Sequence, residues 1–166
     1  MNIRFLAARI FVEAGQSVKA RPIAAELAKE LQPEPQAYAK IIDGVTALKG
    51  GDPRTAIAAI TDANKLLNTW IGHFDLGRAY LDAKAWVQAD SEFDHCLKHR
   101  GEALALFLDE EPTYAYFPAV YYYQGRVREG MGTAGAADSY KAYLEIRGKS
   151  TEDPLVPDVR RKVAGK

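Results

Sequence analysis

Small residues recur along this 166-residue chain at nearly one period, and no other feature narrows the possible fold as far. Ala20, Ala56, Ala89 and Ala136 follow one another at intervals of 36, 33 and 47 residues. Four positions after them stand Ala24, Ile60, Phe93 and Tyr140, and three further lie Leu27, Ala63, Cys96 and Tyr143. An upstream column, Ala8, Gly44, Gly77 and Gly125, repeats at 36, 33 and 48. The i, i+4, i+7 spacing within each unit is the stripe of a helix packed along one side. The upstream small residue precedes the alanine by twelve positions, or by eleven in the last unit. Two helices joined by a short turn and touching where side chains are small give that offset. The columns therefore predict four helical hairpins.

Turn residues fall between the predicted partners. Gly15, Gly50-Gly51-Asp52-Pro53 and Gly130-Met131-Gly132 separate the helices of three units, Ala83-Lys84 those of the third, and the fourth turn reads one residue shorter. Pro33 and Pro35 divide the first unit from the second. Glycine suits a helix C-terminus and proline the first turn of the next helix. No stretch alternates with period two, so no strand is expected. The units span about 2–35, 37–68, 70–100 and 118–147, with an insertion at 101–117. Leu104, Phe107 and Leu108 in that insertion have helical spacing that Pro112 should end. Asp153-Pro154 reads as an N-cap and first helical residue, predicting a capping helix over 153–164 whose Leu155, Val156 and Val159 cover the last hairpin.

The third unit, Leu76-Gly77-Arg78-Ala79-Tyr80 followed by Trp86, Ala89, Phe93 and Cys96-Leu97, resembles the tetratricopeptide repeat consensus at the same offsets. The second unit keeps Gly44, Ala56 and Ala63, and the first keeps Phe11, Gly15, Ala20 and Pro33. The resemblance implies one all-α domain, a right-handed superhelix of about four hairpins with an insertion after the third. Tyr121-Tyr122-Tyr123-Gln124-Gly125-Arg126-Val127-Arg128-Glu129 and the ending Asp153 to Lys162 are similar to the C-terminal tetratricopeptide segment of bacterial multidomain regulators, notably serine/threonine protein kinases. That likeness implies a cytoplasmic interaction module, and the lack of a polar capping element before the first repeat favours an origin in a longer chain.

Composition excludes several alternatives. Lys and Arg balance Asp and Glu at 22 each, so no net field draws nucleic acid or anionic lipid. No apolar run reaches membrane-spanning length. Single Cys96 precludes an intrachain disulfide. Gly130-Met131-Gly132-Thr133-Ala134-Gly135 fits a dinucleotide-binding pattern, but it follows a helical stretch where a strand is required. His95 and His99 share a helix face, yet zinc wants three or four ligands. They read as surface histidines beside a buried Cys96, and His73 reads as a packed residue. Ser91, Ser139 and Ser150 lack a nucleophile setting, and Asp109-Glu110-Glu111 reads as a solvated helix end. The chain is expected to be no enzyme and to need no cofactor.

Binding to a protein or peptide is the expected function. In the resembled family, fixed positions of the first helix of each hairpin line the concave groove. Here they carry Phe5, Ile41, Phe74 and Tyr122, followed four residues later by Arg9, Val45, Arg78 and Arg126, with Tyr38 and Ile71 nearby. Apolar shelves beside guanidinium forks would suit a segment bearing carboxylates or phosphates. The Lys/Asn clamp of the chaperone-binding subgroup has no counterpart at Phe5, Arg9, Ile42, Ile71 and Asp75. Two other outcomes are set against a ligand groove. The arginines could pair only along their own helices, as Arg9–Glu13, Arg78–Asp82 and Arg126–Glu129. Alternatively, Tyr38, Ile41, Val45 and Phe74 could be covered by a second copy, making a homo-oligomer, or by a neighbouring domain, making the chain a structural module.

Overall fold

The computed structural model describes residues 2–104 and 113–165. Phe107, Leu108, Asp109-Glu110-Glu111 and Pro112 lie outside the described residues. Helices α1 (Asn2–Glu13) and α2 (Ser17–Leu27) form the first hairpin, α3 (Pro33–Lys49) and α4 (Pro53–Leu66) the second. The third comprises α5 (Trp70–Asp82) and α6 (Trp86–Lys98), the fourth α7 (Phe117–Met131) and α8 (Ala136–Arg147), and α9 (Val156–Val163) follows. Two single 3-10 turns, Glu102–Leu104 and Tyr114–Tyr116, lie within the insertion, near its two ends. No strand occurs among the described residues. Each helix packs on its successor through α9, and α6 meets α7 directly across the insertion. The odd-numbered helices also pack on one another, α1 on α3, α3 on α5 and α5 on α7.

The hairpin turns share one geometry. Gln16 N donates to Phe11 O at 2.7 Å, Asp52 N to Ala47 O at 3.0 Å, Ala85 N to Tyr80 O at 2.9 Å and Thr133 N to Arg128 O at 3.0 Å. This six-to-one closure needs a left-handed residue just before the donor. Gly15 (φ 74°), Gly51 (φ 82°) and Gly132 (φ 64°) supply it, and Lys84 (φ 58°) does so in the third hairpin without glycine. The fourth link is four residues long, 132–135, and not shorter than the others, because α8 begins at Ala136 itself after a second left-handed glycine, Gly135. The dinucleotide-like motif is thus a helix-to-helix turn.

The small-residue column marks the crossing points. A Cβ on Gly77 would sit 2.7 Å from the Phe93 ring, and one on Gly125 2.5 Å from that of Tyr140; Ile60 blocks Gly44 in the same way. Glycine lets α5 and α7 lie directly on aromatic rings of their partners. Pro33 and Pro35 do not precede α3 but occupy its first turn, where a missing N–H costs nothing. The last helix starts at Val156, later than the motif suggested. Asp153 takes the Leu155 N–H at 3.0 Å and pairs with Arg147 at 2.7 Å, which holds Pro154 in a turn. Val156 and Val159 are buried against Tyr122, Tyr140 and Tyr143, so α9 closes the apolar end of the fourth hairpin.

A candidate ligand face on the odd-numbered helices

Eight of the ten residues expected to line a groove are buried within the chain itself: Phe5, Arg9, Tyr38, Ile41, Val45, Ile71, Phe74 and Tyr122. Their positions face inward as the spacing implied, but each odd helix has odd neighbours that consume the surface. Phe5 packs on Tyr38 with ring centroids 4.4 Å apart. Phe74 is ringed by Trp70, Phe93, Tyr116 and Tyr123 at 5.7–6.3 Å. Tyr122 lies under α9, its hydroxyl 3.4 Å from Asp158. The apolar shelves are therefore core, and Tyr38, Ile41, Val45 and Phe74 present no face to a second copy.

The arginines also depart from the local pairing. Arg9 is fully buried and makes a two-pronged pair with Asp75 of α5, Nη1 to Oδ2 and Nη2 to Oδ1, the second at 3.1 Å. Its guanidinium lies 4.6 Å from the Tyr116 ring centroid, so the second 3-10 turn of the insertion covers it. Burial alone would push the Arg9 pKa down, but the Asp75 charge and hydrogen bonds outweigh it and hold the guanidinium charged. Arg78 Nη1 donates to Glu13 at 2.9 Å and to Asp75 at 3.1 Å, leaving Asp82 aside. Glu129 pairs with Lys162 at 2.7 Å in place of Arg126. Sequence reasoning missed Asp75 and Tyr116 as parts of this network. A lone carboxylate inside Trp70-Ile71-Gly72-His73-Phe74-Asp75-Leu76 was the available signal, since such a group is buried only with a partner.

On this face a cavity of about 240 Å³ stays open, lined by Leu48 and Lys49 of α3, Arg78 and Asp82 of α5, and Tyr123 and Arg126 of α7. Three successive odd helices each contribute a cation. Arg78 is already engaged, and Lys49 lies 4.0 Å from Glu13. Arg126 is exposed, its guanidinium 6.0 Å from the Tyr122 ring centroid, and it forms no ion pair with another described residue. Burial opposes its charge, and Tyr122 and Asp82 more than offset that, so its pKa is raised. Lys49 and Arg126 can therefore meet an incoming anion with guanidinium and ammonium donors.

The histidines assemble more closely than expected. His73, His95 and His99 form a column of stacked rings, with centroid separations of 3.7 and 4.0 Å. His73 is fixed by Glu92 and Asn68, both at 2.6 Å, while Cys96 is buried and its Sγ faces the Trp70 carbonyl at 3.8 Å. Face-to-face rings do not converge their nitrogens, and no cluster of three His, Cys, Asp or Glu side chains among the described residues could hold a metal. Partial burial, then the nearby His73 and His99, hold the His95 pKa below its usual 6.5. The unfolded chain thus takes up a proton that the folded chain resists, so His95 favours folding above about pH 6.5 and that contribution fades as pH falls through it. A melting temperature lower at about pH 5 than at neutrality is expected. His95→Asn should flatten that part of the profile, measured by thermal denaturation across pH; an unchanged slope would show that His95 does not sense the stack.

Comparison with known protein families, with curated proteins and with solved structures finds no match to the chain. Among the described residues no helix is long and apolar enough to cross a membrane.

Proposed function

We propose that this chain is a tetratricopeptide-type module that binds an acidic segment of another protein, with the Lys49/Arg78/Arg126 cavity as its anchor point. Sequential hairpins with a common turn geometry, and glycine opposite an aromatic ring at each later crossing, support the repeat assignment. In this reading the hairpins wind as a right-handed superhelix, and the cavity opens on its concave side. A place in a bacterial signalling protein follows from the sequence likeness of 121–129 and 153–162 to regulator segments.

The observation that carries the proposal is Arg126, an exposed guanidinium with no ion-pair partner among the described residues, beside a lysine and a second arginine in one hollow. An aspartate, glutamate or terminal carboxylate entering there gains charge-assisted hydrogen bonds. Acidic, neutral and basic peptides of matched length, titrated by fluorescence anisotropy, test it. Acidic peptides should bind in a salt-sensitive manner, and Lys49→Ala with Arg126→Ala should weaken them by about tenfold or more, equivalent to ~1.4 kcal/mol. Both side chains are exposed, so folding should be unaffected. Equal binding of the three peptide classes, or no loss in the double variant, rejects the assignment.

A further inference from the structure

Arg78 is held by two carboxylates of different character. Asp75 Oδ1, at 3.1 Å, belongs to a side chain with 0% exposure that Arg9 already grips. Glu13 Oε1, at 2.9 Å, belongs to a side chain that is 34% exposed. Its second oxygen, Oε2, faces the Lys49 ammonium at 4.0 Å, beyond hydrogen-bond reach. One carboxylate from α1 thus stands across two of the three cations of the hollow, those on α3 and α5, and leaves Arg126 of α7 aside.

Helix stability gives Glu13 no reason to stand there. It is the last residue of α1, where the free carbonyls disfavour a negative charge, and α1 has no basic residue in its last turn to offset it. The side chain already reaches water, so swinging out loses little, whereas Asp75 is fixed. The balance of charge sets what would replace it. With Glu13 in place, Lys49, Arg78 and Arg126 face Glu13 and Asp82, a surplus of one positive charge. With Glu13 swung out they face Asp82 alone, a surplus of two. Resting on the reading that this hollow anchors an acidic segment, we propose that Glu13 is its built-in competitor. A segment with one acidic side chain binds at Arg126 and leaves Glu13 in place. A segment with two neighbouring acidic side chains also displaces Glu13 from Lys49 and Arg78, and is the ligand class the site is built to select.

Fluorescence anisotropy with peptides of one length, bearing one glutamate or two neighbouring ones, tests the competition in wild type and Glu13→Gln. Glu13→Gln should tighten the two-glutamate peptide about five- to tenfold and leave the one-glutamate peptide within about twofold. Removing a negative charge would by its field alone tighten both peptides alike. Equal gains therefore overturn the proposal, as does no gain for either. Glu13→Asp, which keeps the charge but draws it back by one methylene, should give the same selective gain, smaller in size. A gain confined to the one-glutamate peptide in either variant overturns the competition. The melting temperature of Glu13→Gln should stay close to that of wild type, because partly exposed pairs contribute little. Failure of both peptides to bind wild type and variants alike rejects the anchor and this proposal with it. Binding that Lys49→Ala with Arg126→Ala weakens, but Glu13→Gln leaves unchanged, keeps the anchor and rejects only the competitor.

Discussion

Replacing Asp75 with alanine is expected to destabilise the chain by about 3–5 kcal/mol, the cost of leaving a buried charge without its partner. Natural domains are stable by about 5–15 kcal/mol, so this single change would remove about a fifth of the total or more. Arg9 and Asp75 are both fully buried, and Arg9 Nε already has no hydrogen-bond partner. Without Asp75 the guanidinium keeps the Tyr116 side chain, with its hydrogen bond and its ring centroid at 4.6 Å, and the Phe5 ring at 5.6 Å. Cation–π contacts of that kind give about 0.5–2 kcal/mol each, too little to offset the desolvation of an arginine. Arg78 would fare better, since Glu13 still holds it at 2.9 Å. Removing both charges together, as Arg9→Met with Asp75→Leu, should recover most of the loss, because a packed apolar pair escapes the desolvation that the ions incur. Urea unfolding of the two single variants and the double gives the comparison. A loss below about 1 kcal/mol for Asp75→Ala would mean that water reaches the pair.

The second large effect is expected at Trp70, for which truncation to alanine should cost about 3–5 kcal/mol. Trp70 is fully buried at the first turn of α5, stacked on Phe74 at 5.7 Å and tilted against Phe117 at 6.2 Å. It thereby touches the core of its own hairpin and the first residue of the next. Its indole N–H also donates to the Cys96 carbonyl at 3.0 Å, near the end of α6, where carbonyls lack helical partners. Trp70→Phe separates the two roles: the rings still pack, but the Cys96 carbonyl loses its donor. That variant should lose about 1–3 kcal/mol, typical of an orphaned buried polar group. Chemical denaturation followed by far-ultraviolet circular dichroism measures both. Equal losses for Ala and Phe would assign the whole effect to the hydrogen bond.

The helices were readable in the sequence because what defines them is local and repeated. Gly44, Gly77 and Gly125 stand opposite Ile60, Phe93 and Tyr140 in space as they do in the periodic columns. The candidate site was readable only in part. Spacing along one helix says which residues share a face, and Phe5, Arg9, Phe74 and Arg78 do face the other odd helices. It does not say what lies against that face. Arg9 finds its carboxylate 66 residues away, and its lid, Tyr116, comes from an insertion that has no counterpart in the other units. Local pairing with Glu13 was therefore the wrong guide, because a buried partner outcompetes one that water can screen. Arg126 kept its exposure for a structural reason. It sits on α7, the first helix of the fourth hairpin, with no further hairpin packed beyond it, and α9 covers Tyr122 instead.

The Arg9–Asp75 pair also bears on how the chain comes apart. Hairpins stacked in sequence usually share energy only with immediate neighbours, so their ends can fray while the middle holds. Here an ion pair reaches from the first hairpin to the third, passing over the second. If the first hairpin peels away, Asp75 loses its two-pronged partner and keeps only Arg78 at 3.1 Å. Fraying from that end is thereby penalised, and the first three hairpins are tied into one cooperative melting unit. The fourth hairpin and α9 lie outside that ion pair and are joined to the third hairpin by ring contacts such as Trp70 on Phe117 and Phe74 on Tyr123.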